Sequence, residues 1–225
     1  MFFDSSFLLL LPAIALVLWA QFRVKSTFAK YSKVRAGSGL TGSQVAKKLL
    51  SDGGLSEVKV EEIPGSLSDH YDPRTKVLRL SEAIAQSDSV AALGVAAHEV
   101  GHALQHKQAF GAFRLRQSIV PVANFGSSLA IPFFFAGLIF SSLKLMDLGI
   151  VLFSAAVAFQ LVTLPVEFNA SSRALALLQS RGYLVEKEVG EAKRVLNAAA
   201  LTYVAATAMA LMQLLRLVVL RNSRD

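Results

Sequence analysis

No cysteine occurs in this chain of 225 residues, so neither a disulfide nor a thiolate metal site is possible, and any bound metal must rely on histidine, aspartate or glutamate. Histidine is scarce too. There are four, and three of them, His98, His102 and His106, crowd into one short stretch. Charge is thin, with 17 % charged residues against 53 % hydrophobic ones, and acidic residues are outnumbered by basic ones to leave a net charge of +7. No internal repeat or low-complexity segment is evident. The length allows one domain, or one soluble unit wrapped by membrane spans.

What is abundant is apolar sequence. Residues 7–22 (FLLLLPAIALVLWAQF) are long enough to cross a bilayer if Phe2 and Phe3 extend them, with Trp19 near an interface. The preceding Met-Phe-Phe-Asp lacks the positive region of a secretory signal, so a retained anchor is expected. Residues 119–142 and 148–165 look like a transmembrane hairpin joined by a polar link at 143–147, and 198–220 is a fourth apolar segment despite Gln213 and Arg216. Four such segments as buried core helices would need more soluble protein around them than this chain contains. Arg23, Lys25, Lys30, Lys33 and Arg35 follow the first segment, which predicts that side to be cytoplasmic. The basic excess then faces anionic lipid, and nucleic acid is not an expected partner. Arg221 and Arg224 oppose this scheme, because four full crossings would put them outside.

The chemistry concentrates in His98-Glu99-Val100-Gly101-His102, which fits H-E-x-x-H. One turn of helix separates the imidazoles, so both project from one face and can bind a single Zn²⁺, while Glu99 can act as general base on the metal-bound water. Ser89 is a plausible N-cap, and Val90 to Leu104 is apolar nearly all round, so the helix should be buried. Buried histidines and a carboxylate cost several kcal/mol unless partnered, and a metal ion is the simplest common partner. The bland alternative is a pair of core histidines bonded to carbonyls, with Glu99 in solvent.

Around this helix, Thr41 should cap an amphipathic helix through Leu50 that ends at Gly53-Gly54. The alternation in 57–63 and in 75–80 predicts two paired strands, with turns at Pro64-Gly65 and Asp72-Pro73 and with His70 in the loop between them. That histidine could polarise a scissile carbonyl or be an ordinary turn residue. An edge strand beside the metal-binding helix would hold an extended peptide by main-chain hydrogen bonds.

A catalytic zinc usually has three protein ligands and an open position. His106 is close in sequence, but no glycine breaks the helix after His102, and a continuing helix carries His106 about 12 Å from His98. A role near the helix end is expected for it. Glu167 is the better third ligand: it follows Pro165, expected to kink or restart the helix, and it shares a face with Ala170, Ser171 and Ala174, whose small side chains permit close helix approach. An even number of spans separates it from His98, which puts both on one side of the membrane. Pairing of Glu167 with Arg173 or Lys187 is the alternative.

The stretches Ser68-Asp69-His70-Tyr71-Asp72-Pro73-Arg74, Leu80-Ser81-Glu82, Ala97 to His106 and Pro165-Val166-Glu167-Phe168-Asn169-Ala170-Ser171 together closely resemble the YugP-type bacterial membrane zinc metallopeptidases, across almost the whole chain. The resemblance implies a zinc endopeptidase of the membrane, similar in site logic to the glutamate-zincins, including HtpX-like quality-control proteases. In that broader pattern an Asp often stands four residues after the ligand Glu. Ser171 stands there in this chain.

The sequence therefore predicts a mainly α-helical polytopic membrane protein with a small α+β zincin-like catalytic portion. Its expected division is an anchor at 1–22, a cytoplasmic catalytic portion at 23–118, a hairpin at 119–165, a cytoplasmic segment carrying the third ligand at 166–197, and a last membrane helix and tail at 198–225. The expected activity is hydrolysis of membrane or membrane-adjacent polypeptides, with zinc on His98, His102 and Glu167 and with Glu99 as general base. A non-catalytic membrane adaptor keeping a structural zinc is the rival, and the intact Glu99 argues against it. A divalent-ion transporter is a weaker one, since the spans carry few ionisable residues.

Overall fold

The computed structural model describes residues 5–65 and 68–224. Phe2 and Phe3, invoked above to lengthen the first apolar run, lie outside the described residues. The chain forms a 3₁₀ turn at Ser5–Leu10 and then α1 (Leu11–Tyr31), α2 (Gly42–Asp52), β1 (Lys59–Ile63), β2 (His70–Asp72), β3 (Val77–Ser81), α3 (Glu82–Ala85), α4 (Val90–Lys107), α5 (Gly111–Ile139), α6 (Leu143–Ser180) and α7 (Glu186–Asn222). It is mainly α-helical with a small α+β portion, and it divides into two compact units, Met1–Gln21 with Arg114–Pro165 and Leu201–Asp225, and Phe22–Phe113 with Val166–Ala200.

The first unit draws on four helices that are long and apolar enough to cross a membrane: Ser6–Tyr31, Gly111–Ile139, Leu143–Ser180 and Glu186–Asn222. Each runs beyond the apolar stretch that announces it. The expected polar link at 143–147 is instead the first turn of α6. The chain reverses at 140–142, where Ser141 adopts a φ of 52° and the carbonyl of Ser142 accepts the first two amide bonds of the new helix, from Leu145 and Met146. Pro165 does not restart the helix either, and α6 continues through it to Ser180. A proline removes one amide donor, but a long apolar helix retains the rest of its ladder. Gly149 fits between helices that approach closely, since a Cβ there would lie 2.7 Å from the Ala130 carbonyl.

The second unit is built on α4, buried along almost its whole length as its composition requires. Ser89 caps it, its hydroxyl accepting from the Ala92 amide at 3.2 Å. Helix α2 begins with a capping box in which Thr41 and Gln44 bond each other's main-chain amides. Its apolar face, Val45, Leu49 and Leu50, is buried with Leu78, Leu80, Ile84, Leu93, Ala96 and Val100 in one core. At about 1.5 to 3 kcal/mol for each fully buried aliphatic side chain, this face fixes α2 against α4. Gly53 caps α2, and Gly54 follows with φ 64°, a conformation that glycine adopts without strain.

The sheet departs from the expected strand pair. It has three strands in the order β1-β3-β2, with β1 and β3 parallel and β2 antiparallel to β3. His70 is thus the first residue of an edge strand. Two parallel strands cannot be joined by a tight turn, and the connection between β1 and β3 uses its length to lay β2 on the far edge. The carboxylate of Asp69 fixes the start of that strand, accepting from the Ser81 amide at 2.7 Å and from its hydroxyl.

A candidate metal centre between two helices

Helix α4 presents His98 and His102 one turn apart, and their rings meet edge to face with centroids 4.7 Å apart. Glu167 reaches them from α6, its Oε2 lying 3.2 Å from His98 Nε2 and 3.6 Å from His102 Nε2. One ligand atom from each of the three residues lies within 4.8 Å of the others. The approach depends on small residues. Gly101 faces Ala170, where an added Cβ would stand 2.7 Å from the Ala170 carbonyl oxygen, and Ala170 and Ala174 are fully buried.

The outward nitrogens of both rings are also held. His98 Nδ1 lies 3.1 Å from Ser171 Oγ, so the serine four residues after Glu167 supports a histidine. His102 Nδ1 meets Gln105 Oε1 at 3.0 Å. Gln105 is fully buried and donates its amide protons to the Val166 carbonyl at 2.8 Å and to Asn169 Oδ1 at 3.0 Å. With both protons committed, its oxygen must face His102, so His102 carries a proton on Nδ1 and turns Nε2 toward the Glu167 carboxylate. Facing a buried carboxylate, Nε2 is satisfied either by a second proton or by a cation lying between the two. Burial by itself pushes the His102 imidazole down, and the Glu167 carboxylate with the added charge of Glu99 more than offsets it, raising the pKa above the usual histidine value. The pocket attracts positive charge, and its two imidazoles and one carboxylate are a donor set suited to zinc.

Glu99 stands apart from this trio. It is buried, and its Oε2 accepts the main-chain amide of Tyr71 in β2 at 3.0 Å. The Glu99 carboxylate is therefore oriented by an edge strand, and it does not point to solvent.

A family described as "Putative neutral zinc metallopeptidase" matches residues 6–222. This chain belongs to that family. It is similar to a protein of Bacillus subtilis (strain 168) named "Putative membrane protease YugP", with 53 % identity over 218 residues that cover 96 % of this chain and 97 % of the relative. No solved structure matches the chain. Family membership, the four long apolar helices and the His98, His102 and Glu167 cluster together describe a multi-pass membrane protein of a zinc metallopeptidase family.

Of the other expected candidates, His106 lies at the end of α4, outside the trio, and bonds the Tyr71 hydroxyl through Nδ1 at 2.9 Å. His70 is exposed, its Nδ1 bonded to the Ser68 carbonyl at 2.8 Å. Arg173 does not pair with Glu167, and instead donates to Asn169 Oδ1 and Gln108 Oε1. Gln105 and the Tyr71 amide escaped notice in the sequence. For Gln105 a signal existed: a polar amide inside an otherwise apolar helix, three residues after a histidine, needs a buried partner. For a main-chain amide none exists.

Proposed function

We propose that this protein is a membrane zinc endopeptidase that holds zinc through His98 Nε2, His102 Nε2 and the Glu167 carboxylate, and uses Glu99 as general base. The observation that carries the reading is the convergence of two Nε2 atoms on one carboxylate while Glu99, on the same helix, stays outside the cluster. Zinc bound there polarises a carbonyl and lowers the pKa of water. Ser171 and Gln105 orient the two imidazoles, and Glu167 supplies the anionic ligand. The Tyr71 amide occupies Glu99 Oε2, which leaves Oε1 to take a proton from the attacking water and return it to the departing amine.

The substrates are polypeptides within or beside the bilayer. Glu167 follows Pro165 on the same helix that carries the third apolar segment, which keeps the ligand set on a short tether. The catalytic portion comprises residues 23–118 and 166–197, faces the cytoplasm, and belongs to the cell membrane.

Purified protein assayed for zinc and for cleavage of casein or a detergent-solubilised membrane protein, with and without chelator, tests this. Glu99→Gln preserves shape but cannot accept the proton, so zinc stays while hydrolysis falls by about 10² to 10⁴. His98→Ala should lose metal and activity together. If Glu99→Gln were silent in cells while His98→Ala was not, and no substrate were cleaved, the chain would be an adaptor keeping a structural zinc.

A further inference from the structure

His106 and the phenol of Tyr71 have no part in the centre as assembled above, yet they meet each other. Tyr71 runs along α4: its amide donates to Glu99 Oε2 at 3.0 Å, and its hydroxyl meets His106 Nδ1 at 2.9 Å, two helical turns further on. Tyr71, His106 and Ala103, which lies between Glu99 and His106 on the helix, line a cavity of about 250 Å³. Burial, with the nearby carboxylates of Glu57 and Asp72, pushes the phenol up to about 12, so the hydroxyl keeps its proton and can donate it. The His106 ring is itself braced by Phe113, centroid to centroid 5.9 Å. Strand β2 is only three residues long and lies at the sheet edge, where its own ladder fixes it weakly.

We propose that the Tyr71–His106 hydrogen bond is a strut that keeps the Tyr71 amide on Glu99, making both residues positioning residues for the general base. With Oε2 held, the carboxylate has one orientation and Oε1 a fixed place. With the strut removed, β2 drifts from α4 and the Glu99 side chain regains rotamers that it otherwise loses. The proposal rests on the reading of Glu99 as base.

The test is amide hydrogen exchange at Tyr71 in the full-length protein in detergent, alongside zinc content, thermal melting and steady-state cleavage of casein. Glu99→Ala, which deletes the acceptor, sets the exchange rate of the free amide. Tyr71→Phe and His106→Ala should each speed exchange by about three- to tenfold, the range expected for one lost hydrogen bond, and lower kcat by a similar factor with KM and zinc content unchanged. His106→Asn should restore both, because its Oδ1 stands the same number of bonds from Cα as the imidazole Nδ1 and can accept from the phenol. Unchanged exchange in Tyr71→Phe and His106→Ala overturns the strut whatever the activity. Faster exchange with unchanged kcat overturns the role in positioning the base. Absence of chelator-sensitive cleavage in the wild type would sink the peptidase reading instead, and the exchange rates would still decide whether the strut exists.

Discussion

Gln105 commits its oxygen and both amide protons between α4 and α6: the oxygen faces His102, and the protons go to Val166 and Asn169, on either side of Glu167 in sequence. Leucine at this position keeps the volume and leaves Nδ1 of a buried histidine without its acceptor. Gln105→Leu should weaken zinc binding by about 10- to 100-fold, as loss of a partner supporting a ligand histidine does, measured by competition with a chromophoric chelator. An unaltered zinc affinity would mean that the amide only packs. Asp72 offers a separate test through pH. The Thr75 hydroxyl and the Arg74 amide bond its carboxylate and hold its pKa below the usual aspartate value. A depressed folded-state pKa contributes stability that is present above the unfolded value, about 3.9, and is lost as pH falls through the folded value. Asp72→Asn should therefore lower Tm at neutral pH, and the gap should close below about pH 4. A gap that is constant with pH would show that ionisation of Asp72 contributes nothing. At this scale the sequence pointed to His98, His102 and Glu167, which the fold brings together, because such side chains have few other uses in an apolar setting. It was silent about Tyr71, whose contribution comes from an amide that every residue but proline carries.

Helices α4 and α6 meet where each has given up its side chains. A Cβ on Gly101 would lie 2.7 Å from the Ala170 oxygen and 3.1 Å from its Cα, both main-chain atoms that cannot rotate away. Gly101→Ala must separate the helices, at about 1 to 3 kcal/mol for overpacking, and that movement carries Glu167 away from the histidines. Gly94→Ala is the control. Its new methyl would rest 3.5 Å from the Ala192 Cβ, an ordinary contact, and alanine is the better helix former by about 1 kcal/mol. Thermal melts and zinc content in detergent should fall for Gly101→Ala and hold or rise for Gly94→Ala. Equal effects would show that the helix spacing does not depend on Gly101. The same contrast explains which elements the sequence revealed. Helices α2 and α4 announce themselves through caps at Thr41 and Ser89 and through apolar faces repeating with the helical period. Strand β2 does not, since three residues cannot show alternation, and nothing local to 57–63 or 75–80 distinguishes a parallel partner from an antiparallel one. The reversal at 140–142 lies just before the polar residues that suggest it, because Lys144 and Asp147 can sit in the exposed opening turns of a helix as readily as in a loop.

At the scale of the whole molecule, orientation is an expectation carried by the basic residues, and the structure gives one of them, Arg221, an acidic partner. Arg221 would oppose an outside carboxyl terminus, but its guanidinium bonds Asp147 at 2.8 Å, so the last turns of α7 lie beside the first turn of α6. The expectation of which side is cytoplasmic rests on the larger basic cluster, Arg23, Lys25, Lys30, Lys33 and Arg35, rather than on Arg221. Two crossings separate His98 from Glu167, so the residues on either side of that hairpin must share a compartment for the metal centre to exist. The chain has no cysteine, which makes the test clean. Single cysteines at Ser56 and Ser180, both exposed, should be protected from an impermeant thiol reagent in intact cells and labelled after lysis. Shared labelling from outside would only invert the molecule and leave the centre intact. Labelling of one position and protection of the other would put the His98 helix and the Glu167 segment in different compartments, and no zinc site could join them.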